Sequence, residues 1–150
     1  MKVVFQRVHA AKVEAEGFPA ASIGPGALLL VGVEVGDTPA ASRRMAEKCA
    51  RLRVFSDEQG RMNRSLLDTG GEVLAIPNFT LCADCRHGRR PEYLAAARPD
   101  EAKPLFDRLA DDLRSMGIAR VAVGMFGAHM AVHMEGDGPV TIWLDTNDWK

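Results

Sequence analysis

The sequence predicts an α/β domain in which a curved or barrel-like, mainly antiparallel sheet is covered by two helices. Three observations carry that expectation. The chain has 150 residues, 47% apolar and 26% charged, the size and balance of one globular domain with a real core. Short β-rich runs bounded by glycine and proline turns recur at both ends. Only two segments carry helical periodicity. No internal repeat, low-complexity tract or linker divides the chain, so residues 1–150 are expected to form a single unit.

Taken in order, Val3 to Val8 is rich in β-formers, and Glu16-Gly17 supplies a turn before the apolar run Ala27 to Val33, entered through Gly24-Pro25-Gly26. Thr38-Pro39 pairs an N-cap with a first-turn proline, and Met45, Cys49 and Leu52 recur at spacings of four and three. A first helix is therefore predicted from Pro39 to Leu52. Asp57-Glu58-Gln59-Gly60 and Gly70-Gly71 read as turns beside short extended pieces, and Glu72 to Ile76 as a further strand. Phe106, Leu109, Leu113 and Met116 mark a second helix that begins after Pro99-Asp100-Glu101 and ends at Gly117. Three strands close the chain, Arg120 to Gly124, Ala128 to Met134 and Val140 to Leu144, with the last turn at Glu135-Gly136-Asp137-Gly138.

Composition excludes several functional classes. No run approaches the ~18 consecutive apolar residues of a membrane span, and Met1 to Arg7 lacks the apolar region and cleavage site of a signal peptide. A cytoplasmic protein with no membrane partner is expected. Cys49, Cys82 and Cys85 are an odd number, too few for a disulfide framework, and are expected to be free thiols. A net charge of -1 argues against a general polyanion binder, so no DNA partner is expected and any nucleic-acid contact must come from a local basic patch. The Gly-x-Ser-x-Gly elbow, the phosphate-binding Gly-x-x-x-x-Gly-Lys-Ser/Thr loop, the dinucleotide fingerprint and the His-Glu-x-x-His helix are all missing.

Five short segments carry chemistry of interest. Cys82-Ala83-Asp84-Cys85, with His87 nearby, is formally a Cys-x-x-Cys pair, but zinc needs four ligands and no second pair stands at suitable spacing. No metal or cofactor is expected. His129 and His133 lie in an alternating segment that reads as strand, which makes them ordinary strand histidines rather than ligands. Arg86-His87-Gly88-Arg89-Arg90-Pro91 is the densest basic cluster, either a solvated loop or one that approaches a sugar-phosphate backbone. In Pro77-Asn78-Phe79-Thr80-Leu81 a residue without an N–H follows a strand, so the chain leaves the sheet and exposes Asn78 and Thr80, as a pocket lining or as a strand-ending turn. Gly138-Pro139-Val140-Thr141 leaves main-chain carbonyls open to close approach, or is a plain strand-entry turn.

Taken together, the ordered landmarks resemble the D-aminoacyl-tRNA deacylase family over nearly the whole chain. They are Gln6-Arg7-Val8, Leu28 to Val33-Glu34, Lys48 to Arg53, Met62-Asn63-Arg64-Ser65, Phe79-Thr80-Leu81 with Ala83-Asp84, Gly88-Arg89-Arg90-Pro91, Phe126-Gly127-Ala128 and Asp137-Gly138-Pro139-Val140-Thr141. The resemblance implies a barrel-like homodimer with its active site at the subunit interface and aminoacyl-tRNA as substrate. It implies that Gly138-Pro139 is a cis pair inserted into the partner's pocket, where main-chain groups exclude L side chains but not glycine. Arg7 is the candidate brace of the Gly138 and Pro139 carbonyls. The resemblance places Thr80, with Asn78 and Phe79, at the scissile ester. A threonine without an adjacent base is a poor nucleophile, which favours hydrolysis assisted by the 2′-hydroxyl of the terminal adenosine, with backbone N–H groups near Phe79 and Thr80 holding the oxyanion. Phe126 and Met130 are candidate pocket walls, and Arg51, Arg53, Arg86, Arg89 and Arg90 candidate tRNA contacts.

The sequence departs from the family pattern in places. Pro77 replaces serine, Asn78 replaces glutamine, Gly136 replaces asparagine and Cys82 stands at a usual tyrosine position. Two alternatives follow: a related deacylase that removes L-alanine from mischarged tRNA, to which Pro77 points, and a catalytically inactive RNA-binding module.

Overall fold

The computed structural model describes residues 1–149. Strands β1 (Lys2–Ala15), β2 (Ala21–Ile23) and β3 (Gly26–Gly32) precede helix α1 (Pro39–Arg51). A small hairpin, β4 (Phe55–Ser56) and β5 (Met62–Arg64), and the one-turn α2 (Leu66–Thr69) lead into β6 (Glu72–Pro77). A 3₁₀ turn at Phe79–Cys82, the long α3 (Pro99–Ser115), β7 (Val121–Val123) and β8 (Met130–Asp145) complete the order, with a last 3₁₀ turn at Thr146–Asp148.

The main sheet runs β2-β1-β3-β6-β7, with β8 also paired to β1, and curls into a nearly closed barrel. Pairings of β1 with β2, β3 and β8 are antiparallel, whereas β3–β6 and β6–β7 are parallel. The parallel strands explain the unbroken apolar runs of the sequence, because they are buried on both faces. Ala27, Leu29 and Val31 of β3 and Val73 and Ala75 of β6 face the core beneath α1 and α3. Leu28, Leu74 and Ile76, between them, face a second core with Val8, Ala11, Val13 and Ile23.

β1 serves both cores by changing parity. Val3 and Phe5 point to the helices, while Val8, Ala11 and Val13 point to the second core. A strand of fixed period two cannot do that without a break, and the break is an irregularity between Gln6 and Ala10 in its pairing with β8.

Both expected helices are present with nearly the expected bounds. Thr38 caps α1 by accepting a hydrogen bond from the Ala41 N–H at 3.2 Å, and Met45 and Cys49 lie on its buried face. The buried Ser42 hydroxyl donates to the Leu105 carbonyl at 3.0 Å, tying α1 to α3. Two expectations are corrected. Strand β1 continues past Val8 to Ala15, and the last three strands are two, because Met130 to Asp145 runs as one strand alongside all of β1. Gly136, Gly138 and Pro139 form an arch inside that strand rather than a hairpin, since a partner running the full length of β1 outweighs local turn chemistry. The one-turn α2, closed by a Ser65–Asp68 capping box, is an addition to the two covering helices. Among the described residues, no helix is long and apolar enough to cross a membrane.

Gly26 tests the parallel pair. Its φ is 159° and a Cβ there would overlap the Glu72 main chain. Replacing Gly26 with Ala should push β3 from β6, costing about 2–3 kcal/mol and lowering the thermal midpoint by about 5–10 °C; an unchanged melting curve would show that the strands separate freely.

Candidate active site

The C-terminal ends of β3 and β6 open into a largely apolar pocket of about 430 Å³, lined by Val31, Val33, Pro77, Asn78, Phe79, Tyr93, the Ala96–Pro99 stretch, Ala102, Phe106, Phe126 and Gly127. That volume suits a small molecule or the end of a larger one. Crevices at the carboxyl ends of parallel strands are where α/β sheets bind ligands, and here three segments build one. Pro77 ends β6, and the chain turns aside because the Asn78 N–H donates back to the Val31 carbonyl at 2.7 Å. The segment Ala95–Ala97 folds over the end of β3 through Val35 N–H to Ala95 O at 2.9 Å and Ala97 N–H to Val33 O at 3.0 Å. The first turns of α3 supply Pro99, Ala102 and Phe106.

Asn78, Phe79 and Thr80 come together at the rim, as the spacing of the motif requires. The Thr80 hydroxyl donates to the Asn78 side-chain carbonyl, and Phe79 stacks edge-on against Tyr93 with ring centroids 5.1 Å apart. Phe79 and Thr80 open the 3₁₀ turn, so their N–H groups lack partners within it. The pocket lining contains no carboxylate, histidine or thiol. It offers amide donors and shape, but no protein group able to take a proton near neutral pH.

Phe126 lines the pocket, with its ring 6.4 Å from that of Phe106. Met130 does not line it; it packs against the second core, its sulfur 3.0 Å from where a Cβ on Gly124 would stand. Tyr93 and the Ala96–Pro99 wall were not singled out in the sequence. The one available signal was the only tyrosine of the chain, sitting in a proline-bracketed loop.

The other half of the expected site lies elsewhere. In the β1–β8 ladder Gln6 opposes Thr141 and Val8 opposes Gly136, so Asp137 to Val140 arch outward opposite Arg7 alone. The Gly138-Pro139 bond is cis, and both residues are exposed. At Gly138 φ is 132°, and a Cβ would meet the Val140 nitrogen at 2.7 Å; only glycine fits.

Arg7 fills the gap behind the arch. Its Nε donates to the Asp137 carbonyl at 3.2 Å and pairs with the Asp137 carboxylate, also at 3.2 Å, while Nη1 donates to the Val54 carbonyl at 2.7 Å. The brace thus grips the residue before Gly138 and not the Gly138 and Pro139 carbonyls. Arg7 lies opposite Ala27 on β3, whereas Asn78 is bonded to Val31. Four residues of strand, about 13 Å, separate the arch from the Thr80 rim, so a single chain does not unite them.

The basic loop is divided. Arg86 is held by Asp84 at 2.5 Å, and the guanidinium drives that carboxyl down to about 2. Arg89 and Arg90 are exposed, with no ion pair among the described residues. His133 is exposed opposite Lys12, and His129 precedes β8. Cys82 and Cys85 do not converge: Cys82 is buried, its Sγ donating to the Val33 carbonyl at 3.5 Å, whereas Cys85 is exposed.

A family model described as D-Tyr-tRNA(Tyr) deacylase matches residues 4–145. The chain is 54% identical to a D-aminoacyl-tRNA deacylase of Thermomicrobium roseum, over all of this chain and 97% of that one. It is 52% identical to one of Roseiflexus castenholzii, covering 97% and 92% of the two chains. Among solved structures it is similar to a c-Myc DNA unwinding element binding protein, with a TM-score of 0.90 and 35% identity over 97% of this chain and 98% of the other.

Burial decides the reactivity of the cysteines, pushing the Cys49 thiol up to about 12 and that of Cys82 up to about 11. At pH 8 the native protein should therefore react with a chromogenic disulfide at Cys85 alone, and at all three thiols once unfolded. Rapid reaction of two or three thiols in the native state would reopen a role for the Cys-x-x-Cys pair.

Proposed function

Since this chain belongs to the D-Tyr-tRNA(Tyr) deacylase family and is a hydrolase of D-aminoacyl-tRNA, we propose that it is a chiral proofreading enzyme of the cytoplasm. It frees tRNA from D-amino acids, and from glycine, by main-chain exclusion of L side chains. The observation that carries this reading is the pocket beside Thr80, which has orphan amides at its rim and no carboxylate, histidine or thiol in its lining. The aminoacylated adenosine enters the pocket, the amides of Phe79 and Thr80 hold the oxyanion, and Asn78 and Thr80 orient the ester. With no protein base at hand, the 2′-hydroxyl of the terminal ribose positions the attacking water.

Two copies complete the site in this reading. The arch at Gly138-Pro139 and the Thr80 rim are too far apart in one chain, and the arch is exposed. Inserted into a partner's pocket, its main chain holds the α-ammonium and α-carbon so that an L side chain meets backbone and a D side chain points to open space. Strand β8 carries exposed Val132, Met134 and Trp143, apolar surface of the kind a second copy covers. Arg89 and Arg90 approach the tRNA from the basic loop, and Arg86 joins them only by sharing its charge with Asp84.

A second reading rests on Pro77, which lines the pocket where the family pattern has serine, and assigns the enzyme to L-alanine on mischarged tRNA. Single-turnover deacylation of matched D-tyrosyl-, L-tyrosyl-, glycyl- and L-alanyl-tRNA separates the two. Loss of the D-tyrosyl and glycyl esters with L-tyrosyl spared is expected; preferential L-alanyl cleavage would move the enzyme to the second reading. The catalytic assignment has its own test. D-tyrosyl-tRNA ending in 2′-deoxyadenosine should be cleaved at least about a hundredfold more slowly, and hydrolysis at the ordinary rate would remove the 2′-hydroxyl from the mechanism.

A further inference from the structure

Away from the apolar pocket, the C-terminal half of α1, its exit at Leu52–Arg53 and Trp149 enclose a cleft of about 490 Å³ lined by Arg44, Glu47, Lys48, Arg51, Leu52, Arg53 and Trp149. Four cations thus converge in a chain whose net charge is -1. Most basic side chains elsewhere are neutralised within the chain: Lys12 by Glu14, Lys103 by Asp107, Arg108 by Asp112 and Arg114 by Asp111. None of the four in the cleft has an ion pair among the described residues, and its single carboxylate, Glu47, is drawn aside to Arg43 at 3.3 Å.

Three of the four cations are held in place by neutral groups. Arg44 donates to the Trp149 carbonyl at 2.8 Å and lies 5.8 Å from the indole centroid, with Lys48 Nζ at 5.2 Å from the same ring. Arg53 donates to the Asn63 side-chain carbonyl at 3.2 Å, which fixes its head against the β4–β5 hairpin. Helix-dipole compensation accounts for Lys48 and Arg51 in the last turn of α1, but not for Arg44 before it or Arg53 beyond it. Arg44, Lys48 and Arg51 are spaced to lie along one face of α1, over about 10 Å of axis. That length spans about three phosphate-to-phosphate steps along the axis of one duplex strand.

We propose that this cleft binds the sugar-phosphate backbone of the tRNA acceptor arm, at a site distinct from the aminoacyl pocket. The proposal rests on the deacylase reading above and gives the substrate's nucleic-acid portion a docking surface of its own. Continuity with the arch supports that occupant. Arg53 precedes Val54, whose carbonyl Arg7 grips with the same guanidinium that holds Asp137. The exit of the cleft and the Gly138-Pro139 arch are thereby tied to one guanidinium, so a substrate that engages the arch passes close to the cleft.

The test compares Lys48→Gln/Arg51→Gln with a control, Lys103→Gln/Arg108→Gln, that removes the same charge from α3. All four side chains are exposed, and melting curves verify folding. Binding of uncharged tRNA is followed by fluorescence anisotropy from low to moderate salt, beside a DNA duplex of equal length. Cleavage of D-tyrosyl-tRNA is compared with that of 3′-O-D-tyrosyl-adenosine, which carries no phosphate. The cleft variant should lose roughly tenfold in tRNA affinity with a salt slope shallower by about two, and its ratio of tRNA to adenosine-ester cleavage should fall. Affinity and slope equal to the control's would overturn the proposal, and an equal loss for duplex DNA would overturn its assignment to tRNA. Wild-type protein that cleaves neither ester would refute the mechanism proposed above, while the anisotropy comparison would still decide the cleft.

Discussion

The pair of parallel strands β3 and β6, buried on both faces, is the constraint on which the rest of the molecule depends. Apolar side chains above it call for α1 and α3, and those below it call for a second layer, which the curl of the sheet brings round as the far half of β1 and the β2 strand. Their carboxyl ends run out where Pro77 cannot donate a ladder bond, and the pocket opens at that point. Gly26, at the opposite end, marks how closely the two backbones approach. Fold and site are therefore set by one decision, the placing of two apolar strands side by side in the same direction.

Helices were the most legible part of the sequence, because their signals are local. Thr38-Pro39 before the Met45–Cys49 stripe, and the Phe106–Leu113 stripe before Gly117, say nearly everything about α1 and α3 within their own residues. The long strand β8 was not legible in the same way. Gly136, Gly138 and Pro139 are turn residues by every local rule, and only the distant partner β1 keeps them in one strand. For the same reason the spatial separation of Arg7 from Asn78 could not be read along the chain.

Of the candidate site, the exit of the chain at Pro77 was legible locally, since a proline after a strand cannot continue the ladder, whereas the place of Asn78, Phe79 and Thr80 at an ester came from the family resemblance. The wall formed by Tyr93 and the Ala96–Pro99 stretch was not legible, because that loop has no periodicity and is held only by main-chain bonds to Val33 and Val35. Met130 shows the converse hazard. An apolar residue near a motif reads as pocket lining from the sequence, yet the curl of the sheet turns it into the second core. The basic residues divide on similar grounds: the run Arg86 to Arg90 is conspicuous, whereas Arg44 and Lys48 become notable only when Trp149, more than a hundred residues later, folds against them.

The arch at Asp137–Val140 has one more consequence. Strand β8 buries Leu144 but little else, so its hydrophobic pattern alone specifies weakly how it lies along β1. Four residues opposite a single arginine cannot be moved by one position without taking Asp137 away from the guanidinium and bringing regular strand over a side chain too large to sit beneath it. Arg7 therefore acts as an indexing pin: it fixes the alignment of the longest ladder in the protein at one point, and the remaining residues of β8 can change their side chains without the strand losing its place.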